Sequence, residues 1–270
     1  MPFIEIKDVS ADQEGFFYRL TDAQLRSKQE PGKGIFIAEG PRVIHTALDA
    51  GYTPLSLLMR RKFIDGLGRE IISKCGDIPV FTGDDEDLAE WTGFQLQRSW
   101  ALCAMKRPPV RTVEDVIRDA RRVVVLEGIN EPSNVGAIFR SSAALGTDAV
   151  LLTPTCCDPL HRRSVRVCMG SIFMVPWAWT SDDEGFRALK ENGFLTVGMA
   201  LRNDSTVLND PELIHAPRVA VFLGTEDSGL TDETIRQCDR IVKIPMAHNI
   251  DSLNVAAAAA VAMWELRVRD

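Results

Sequence analysis

Three polar segments contain the side chains with the clearest potential for binding and chemistry. They are Asn130–Arg140, Leu223–Leu230 and Ile244–Asn254, and each is rich in Gly, Asn, Ser or Pro. Two of them hold a charged residue in an otherwise apolar setting. Each follows a short apolar run that predicts a strand, and ligands of α/β proteins bind beyond the carboxyl ends of strands. The three segments therefore predict a binding site.

The elements that would position these segments alternate between strand and helix. Apolar runs predict strands at 121–128, 148–154, 175–179, 194–200, 218–224 and 240–245. Helical patterns lie between them, at 134–146, 160–173, 182–192 and 231–238, and an alanine-rich helix follows Asn254. This alternation predicts a mostly parallel sheet covered on both faces, formed by residues 119–270.

A smaller α/β domain is predicted for residues 1–106. It would hold strands at 34–40, 54–60 and 77–82, a helix from Pro41 to Gly51, a helix beginning at Asp84 and a short helix at 20–27. Residues 107–118 contain two adjacent prolines and read as a semi-rigid linker, in which Thr112 could cap a short helix.

Composition and charge limit the classes of partner. The 270 residues are 45% hydrophobic and 26% charged, with a formal net charge of −7, so a nucleic-acid site must be a local basic patch on an acidic protein. The candidates are Arg60, Arg61 and Lys62, and a cluster of His161, Arg162, Arg163 and Arg166. The second cluster could equally be a solvated helix face.

Cysteine spacing and hydropathy point to a cytoplasmic protein without a metal site or a membrane segment. The six cysteines form no C-x-x-C pair and are predicted to be reduced thiols, with Cys156 and Cys157 as small buried residues. The amino terminus lacks the apolar core of a signal peptide. The apolar run Val255–Met263 is too short to span a bilayer.

Three motifs together resemble those of the SpoU/TrmH-type RNA methyltransferases of the SPOUT class. They are Asn134-Val-Gly-Ala-Ile-Phe-Arg140 with Gly146, Phe222-Leu-Gly-Thr-Glu-Asp-Ser-Gly-Leu230, and Ile244-Pro-Met246 with Ser252-Leu-Asn-Val255. Each motif alone is weak, but the ordered triple is highly specific and covers residues 119–270. The amino-terminal part resembles the family's ribosomal-protein-like RNA-binding domain. This weaker resemblance rests on Phe36-Ile-Ala-Glu-Gly40 and the residues that follow it.

The resemblance implies an S-adenosyl-L-methionine-dependent ribose 2′-O-methyltransferase that acts on structured RNA. It also implies an obligate homodimer through the carboxyl-terminal domain, and a trefoil knot that holds the cofactor. Position by position, the cofactor-binding residues would be Gly224, Ile244 and Leu253, largely through main-chain groups. Leu223, Met246 and Ala200 would line the same pocket. Glycine at 224 would allow close approach of the backbone to the cofactor.

The resemblance also assigns catalytic roles. Asn134 would contact RNA, Arg140 would lie beside the target 2′-hydroxyl, and Glu226 would brace the knot or Asn134. Ser252 and Asn254 would orient Arg140 and the substrate. The family's favoured base is the arginine, but a guanidinium has a pKa above about 12. We therefore expect Arg140 to stabilise developing alkoxide and phosphate charge.

Structural alternatives exist for each of these residues. Asn134 or Ser133 could cap a helix, as could Ser252 and Asn254. Arg140 could be a solvated side chain and Glu226 a salt-bridge partner. The sequence also departs from the family pattern at two positions. It has Asp227 where Gly is frequent and Ala256 where Ser is frequent.

Other functions remain alternatives. The appended domain favours ribosomal RNA over transfer RNA as substrate. A non-catalytic RNA-binding module with the same fold is a second possibility, although Arg140, Ser252 and Asn254 would then be unnecessary. A nucleotide-binding dehydrogenase is disfavoured because no G-x-G-x-x-G follows a predicted strand.

Overall fold

The computed structural model describes residues 2–9, 16–18, 34–96, 99–202, 205–248 and 252–269. The chain packs as two compact units, Met1–Pro109 with Leu160–Phe173, and Val110–Pro159 with Met174–Asp270. The first boundary, between Pro109 and Val110, falls within the predicted linker at 107–118. Residues 160–173, predicted to lie in the carboxyl-terminal domain, instead pack with the first unit.

The described residues form twelve strands and ten α-helices, together with 3₁₀ helices at Ile6–Asp8, Arg61–Phe63 and Ser171–Phe173. The strands are β1 (Phe3–Glu5), β2 (Ile35–Glu39), β3 (Pro54–Arg60), β4 (Val80–Gly83), β5 (Ala101–Lys106), β6 (Arg122–Leu126), β7 (Ala149–Leu152), β8 (Trp177–Trp179), β9 (Leu195–Met199), β10 (Thr206–Val207), β11 (Val219–Leu223) and β12 (Arg240–Lys243). The helices are α1 (Pro41–Asp49), α2 (Arg69–Cys75), α3 (Asp85–Thr92), α4 (Val113–Ile117), α5 (Pro132–Leu145), α6 (Arg162–Val167), α7 (Asp182–Glu191), α8 (Pro211–His215), α9 (Asp232–Gln237) and α10 (Val255–Glu265).

The first unit contains a five-stranded sheet in the order β1-β4-β3-β5-β2. Strand β4 pairs in parallel with β1 and β3, whereas β5 runs antiparallel to both β3 and β2. The predicted strands at 34–40, 54–60 and 77–82 and the helices at Pro41 and Asp84 are confirmed. Strands β1 and β5 and helix α2 were not predicted, and the predicted helix at 20–27 lies outside the described residues.

The second unit contains a seven-stranded sheet in the order β10-β12-β9-β11-β6-β7-β8, and every neighbouring pair is parallel. The predicted α/β class with a mostly parallel sheet is therefore confirmed. Central strand β11 is buried along its whole length. Phe222 of β11 stacks on Phe186 of α7, with ring centroids 4.4 Å apart, so this face of the sheet is covered by a helix.

Helix α10 packs against α5, which brings the first and third polar segments together. Ala259 and Ala262 are buried, and the Ser142 hydroxyl of α5 donates a hydrogen bond to the Met263 sulfur of α10 at 3.8 Å. Small alanine side chains let two helix backbones approach closely. Among the described residues, none of the helices combines the length and the apolar character needed to span a bilayer.

Candidate active site

A pocket of about 670 Å³ lies at the carboxyl ends of β9, β11 and β12. Its wall is formed by residues 199–202, 223–230, 242–244 and 252–255, together with Asp232, Ile235 and Met246. Pockets of roughly 300–1,000 Å³ hold small molecules the size of a nucleoside cofactor. The position is the edge of a parallel sheet at which ligands of α/β proteins bind.

All six residues predicted to bind a cofactor line this pocket. They come from four separate chain segments and are Ala200, Leu223, Gly224, Ile244, Met246 and Leu253. Three of the five predicted catalytic residues, Glu226, Ser252 and Asn254, line it as well. The remaining two, Asn134 and Arg140, belong to α5 and do not form part of the wall.

Glycine is required at position 224 for a reason that is independent of the predicted approach to a cofactor. A Cβ atom on Gly224 would lie 2.1 Å from the carbonyl carbon of Gly229 and 2.2 Å from the nitrogen of Leu230. No relaxation of a flexible side chain could relieve these contacts, because both involve the backbone. Gly224 is thus required by the folding of its own loop, before any ligand is considered.

The loop after Gly224 closes into a tight turn. The backbones of Thr225 and Gly229 exchange two hydrogen bonds, at 3.1 and 3.0 Å, and the hydroxyls of Thr225 and Ser228 are 2.8 Å apart. Behind the turn, the buried carboxylate of Glu127 accepts a hydrogen bond from the Thr231 N–H at 3.1 Å. The turn therefore presents Glu226 and Asp227 on a fixed backbone.

A chain of three side chains connects the three polar segments. The Asn254 amide N–H₂ donates to the Asn134 amide oxygen at 3.0 Å, and the Asn134 N–H₂ donates to a carboxylate oxygen of Glu226. The Asn254 amide oxygen accepts from the Ala256 N–H at 3.0 Å, so Asn254 also caps α10. The predicted contact between Glu226 and Asn134 is present in the structure. Asn254, which was expected to orient Arg140, contacts Asn134 instead.

Asn134 is available for these contacts because another residue caps its helix. The N-cap of α5 is Glu131, whose carboxylate accepts from the Ser133 N–H at 3.3 Å, and Pro132 occupies the first turn. The alternative in which Asn134 or Ser133 serves as the cap is wrong.

Arg140 lies six residues after Asn134, about 9 Å farther along the axis of α5. Its side chain is exposed and makes no hydrogen bond or ion pair with any residue that the structure describes. Ser252 is also exposed, at the pocket wall. Both side chains are accessible to a bound substrate.

The first predicted basic cluster is neutralised by carboxylates. Arg60 is 2.9 Å from Asp85, Arg61 is 3.7 Å from Asp84, and Lys62 is 3.4 Å from Asp85. Arg61 also donates to Glu5. These pairs arise because β3 ends beside the acidic start of α3, a neighbourhood that the sequence does not show. The cluster consequently presents little net positive charge.

The second basic cluster divides into buried and exposed members. Arg162 is 5% exposed and forms a 2.7 Å ion pair with the buried Glu39, so it is not part of a solvated helix face. The guanidinium of Arg162 also lies 3.9 Å from the ring centroid of Phe94. Arg163 and Arg166 are exposed, although Arg166 is 3.5 Å from Glu39. Helix α6 has only six residues, fewer than the predicted span of 160–173.

Sequence reasoning did not single out three charged residues of the pocket wall, Arg202, Asp232 and Lys243. The guanidinium of Arg202 is 3.6 Å from the Asp232 carboxylate, and the Lys243 ammonium donates to the Arg202 carbonyl at 3.4 Å. Lys243 ends β12 and Arg202 follows β9. The available signal was that Arg202 lies just beyond the strand predicted at 194–200 and that Lys243 lies near the end of the strand predicted at 240–245.

Comparison with known proteins agrees with this geometry. Residues 121–264 match the model of the SpoU rRNA Methylase family. The chain is 38% identical over 258 residues to an uncharacterized tRNA/rRNA methyltransferase of Mycobacterium bovis, covering 92% of this chain and 86% of that protein. It is 29% identical to the 23S rRNA (guanosine(2553)-2′-O)-methyltransferase RlmP of Bacillus subtilis, covering 90% and 93% of the two chains.

The fold is also similar to that of a solved protein. The crystal structure of an AdoMet-bound rRNA methyltransferase from Sinorhizobium meliloti superposes with a TM-score of 0.79 at 23% identity, covering 90% of this chain and 91% of that one. The resemblance predicted from the three motifs is confirmed by the match of the family model and the extent of the relatives. The chain belongs to the SpoU rRNA methylase family.

Proposed function

We propose that the protein is an S-adenosyl-L-methionine-dependent methyltransferase that modifies the ribose 2′-hydroxyl of a structured RNA. The observation that carries this proposal is that the second and third motifs line one pocket, and that the Asn254–Asn134–Glu226 hydrogen bonds join the first motif to them. Family membership and the names of the relatives support the same reaction. Ribosomal RNA is favoured over transfer RNA as the substrate, because the Bacillus subtilis relative is named for 23S rRNA.

The pocket suits the proposed cofactor. Its volume of about 670 Å³ fits a nucleoside joined to an amino acid. Leu223, Leu253 and Met246 offer apolar surface for an adenine ring, and carboxylates at the rim complement a positively charged group. When bound, S-adenosyl-L-methionine supplies an electrophilic methyl group on its sulfonium. Loop residues beyond β9, β11 and β12 would hold it.

The catalytic assignment rests on positioning and electrostatics. Asn134, with both ends of its amide engaged, would present a fixed edge to the RNA backbone. Arg140 would place a permanent positive charge beside the 2′-oxygen as its proton leaves, and one such interaction typically lowers a barrier by about 3–4 kcal/mol. Ser252 and Asn254 would help to orient the substrate. Holding the hydroxyl and the methyl donor in line would supply several kcal/mol more.

Three further features belong to the same proposal. The carboxyl-terminal part would form a trefoil knot around the pocket, as the family resemblance implies. The first unit would bind RNA, with Arg163 and Arg166 better placed for phosphate contacts than Arg60, Arg61 and Lys62, which are paired with carboxylates. The protein would act in the cytoplasm as a homodimer through its second unit.

Cofactor binding provides the first test of the proposal. Leu253→Arg would add a cation to the pocket wall, and the native side chain is 39% exposed, so the fold should survive. Calorimetry should detect S-adenosyl-L-methionine binding to the wild type and at least about a ten-fold loss in the variant, because like charges repel. Leu67→Arg, at a 70% exposed site in the first unit, is the matched control and should bind normally.

Activity provides the second part of that test. Wild-type protein incubated with labelled cofactor and ribosomal RNA should produce a nucleotide that resists alkaline cleavage, because a 2′-O-methyl group blocks attack by the hydroxyl. Cofactor binding without methyl transfer to any RNA would favour the non-catalytic RNA-binding module. Absence of cofactor binding to the wild type would overturn the proposal.

A further inference from the structure

The charged side chains on the pocket wall have an excess of negative charge. Among the described residues that line it, the carboxylates are Glu226, Asp227 and Asp232, and the cations are Arg202 and Lys243. The formal charge of this set is therefore −1 at neutral pH. A pocket of this sign attracts a cationic ligand more strongly than a neutral one.

Asp227 differs from the other two carboxylates because its charge is not engaged. Glu226 accepts the hydrogen bond from Asn134, and Asp232 lies 3.6 Å from Arg202. Asp227 is exposed at the tip of the Thr225–Gly229 turn and forms no ion pair or hydrogen bond with the residues that the structure describes. Its charge is available to a ligand in the pocket.

The two forms of the proposed cofactor differ by one positive charge. S-adenosyl-L-methionine carries a sulfonium, an ammonium and a carboxylate, so its net charge is +1. Its demethylated product, S-adenosyl-L-homocysteine, has a neutral thioether in place of the sulfonium and a net charge of zero. An unengaged carboxylate at the pocket wall stabilises the first complex and has little effect on the second.

We propose that Asp227 is a specificity-determining residue, which favours the methyl-bearing cofactor over its demethylated product. The inference rests on the proposed function and deepens it. Discrimination of this kind reduces inhibition by the product after each turnover.

The test compares the dissociation constants of both ligands by calorimetry on the full-length protein. Asp227→Asn removes the charge and keeps the size of the side chain. We expect about a three-fold weaker affinity for S-adenosyl-L-methionine and an unchanged affinity for S-adenosyl-L-homocysteine, as the loss of one solvent-exposed charge from the pocket wall would give. In about 0.5 M salt the difference between wild type and variant should largely disappear, because exposed charges are screened.

Glu233→Gln is the matched control. Glu233 is exposed beside Asp232, pairs with Arg236 and does not line the pocket, so the variant changes the net charge of the protein equally. The control should leave the ratio of the two dissociation constants unchanged. If the ratio of the two dissociation constants changes equally in both variants, the effect comes from the net charge of the protein alone, and the inference is overturned.

The remaining outcomes separate the inference from the proposed function. If Asp227→Asn weakens both ligands equally, Asp227 merely supports the turn and the inference is wrong. If the wild type binds both ligands and the variant keeps the wild-type ratio, only the inference fails. If the wild type binds neither ligand, the proposed function fails as well.

Discussion

The amide of Asn134 illustrates how single residues acquire a defined role in this protein. Its oxygen accepts from Asn254 and its nitrogen donates to Glu226, so the amide cannot rotate without losing both bonds. Because Glu131 caps the amino-terminal end of α5, Asn134 is not needed as the cap. The orientation of the amide is therefore fixed, as the proposed contact with RNA would require.

Arg140 is the residue whose removal should separate chemistry from binding. Arg140→Ala should lower methyl transfer by about 100-fold or more, the usual effect of removing one group that stabilises a developing oxyanion. Affinity for S-adenosyl-L-methionine should be retained because Arg140 does not line the pocket. Single-turnover methylation of RNA and calorimetry measure the two quantities. Arg187→Ala, an exposed arginine on α7, should be as active as the wild type. Normal turnover by Arg140→Ala would rule out the assignment.

The sequence predicted part of the pocket wall, but it did not single out the charged residues Arg202, Asp232 and Lys243 or the contacts that explain the other residues. The resemblance of the motifs predicted Gly224, Ile244 and Leu253 as one cofactor site, and the rule that ligands bind beyond the carboxyl ends of parallel strands predicted that their segments share one edge of the sheet. The clash that makes glycine necessary at 224 involves Gly229 and Leu230 and depends on the closed turn. Likewise, the pairing of Arg60 with Asp85 depends on two elements meeting in space, which no local pattern encodes.

At the scale of elements, the Arg218 side chain connects the start of β11 to neighbouring segments of the second unit. Arg218, at the start of β11, donates four hydrogen bonds to backbone carbonyls, and its guanidinium lies 4.5 Å from the ring centroid of Phe194. The acceptors are Ala120 at 2.8 Å, Asn192 at 2.8 Å, Ile117 at 2.9 Å and Arg118 at 2.7 Å. One side chain thus joins α4, the end of α7 and β11.

Removing this side chain should destabilise the protein. Arg218→Met keeps much of the volume but leaves the carbonyls without their donor, so we expect a loss of about 2–3 kcal/mol in the free energy of unfolding. Urea denaturation measures the change. Arg118→Met removes an exposed arginine whose side chain pairs, among the described residues, with Asp115, and should cost less than about 0.5 kcal/mol. Equal stabilities of the two variants would contradict the role of Arg218.

Most elements of the fold could be predicted from the sequence, and the failures have physical causes. Strands β6 and β11 follow from continuous apolar runs, which are typical of buried parallel strands. Strand β10 has only two residues and both are exposed, so it leaves no apolar pattern. Chain order alone places residues 160–173 in the second domain, but the ion pair of Arg162 with Glu39 shows why they pack with the first unit.

At the scale of the whole molecule, the net negative charge of the protein opposes binding of its proposed RNA substrate, which is a polyanion. The net charge is −7, and many basic side chains are paired with carboxylates, including Arg236 with Glu233 and Arg240 with Glu212. Binding of RNA would then use a small number of cations. The affinity for RNA should therefore fall only weakly as the salt concentration rises. Each phosphate that the protein neutralises makes the logarithm of the association constant fall more steeply with the logarithm of the salt concentration.

The last prediction concerns the interface of the proposed homodimer. Helix α10 has an exposed apolar stripe at Val261 and Trp264, one turn apart, with exposures of 40% and 54%. Trp264→Glu should weaken the dimer, because a carboxylate buried in an apolar interface would be desolvated without a partner. Sedimentation should find the wild type at twice the 29.9 kDa chain mass and the variant largely at the monomer mass. Met174→Glu, at a 65% exposed apolar site on the same unit, is the control and should remain dimeric. If Trp264→Glu sediments at the same mass as the wild-type dimer, Trp264 does not belong to the dimer interface.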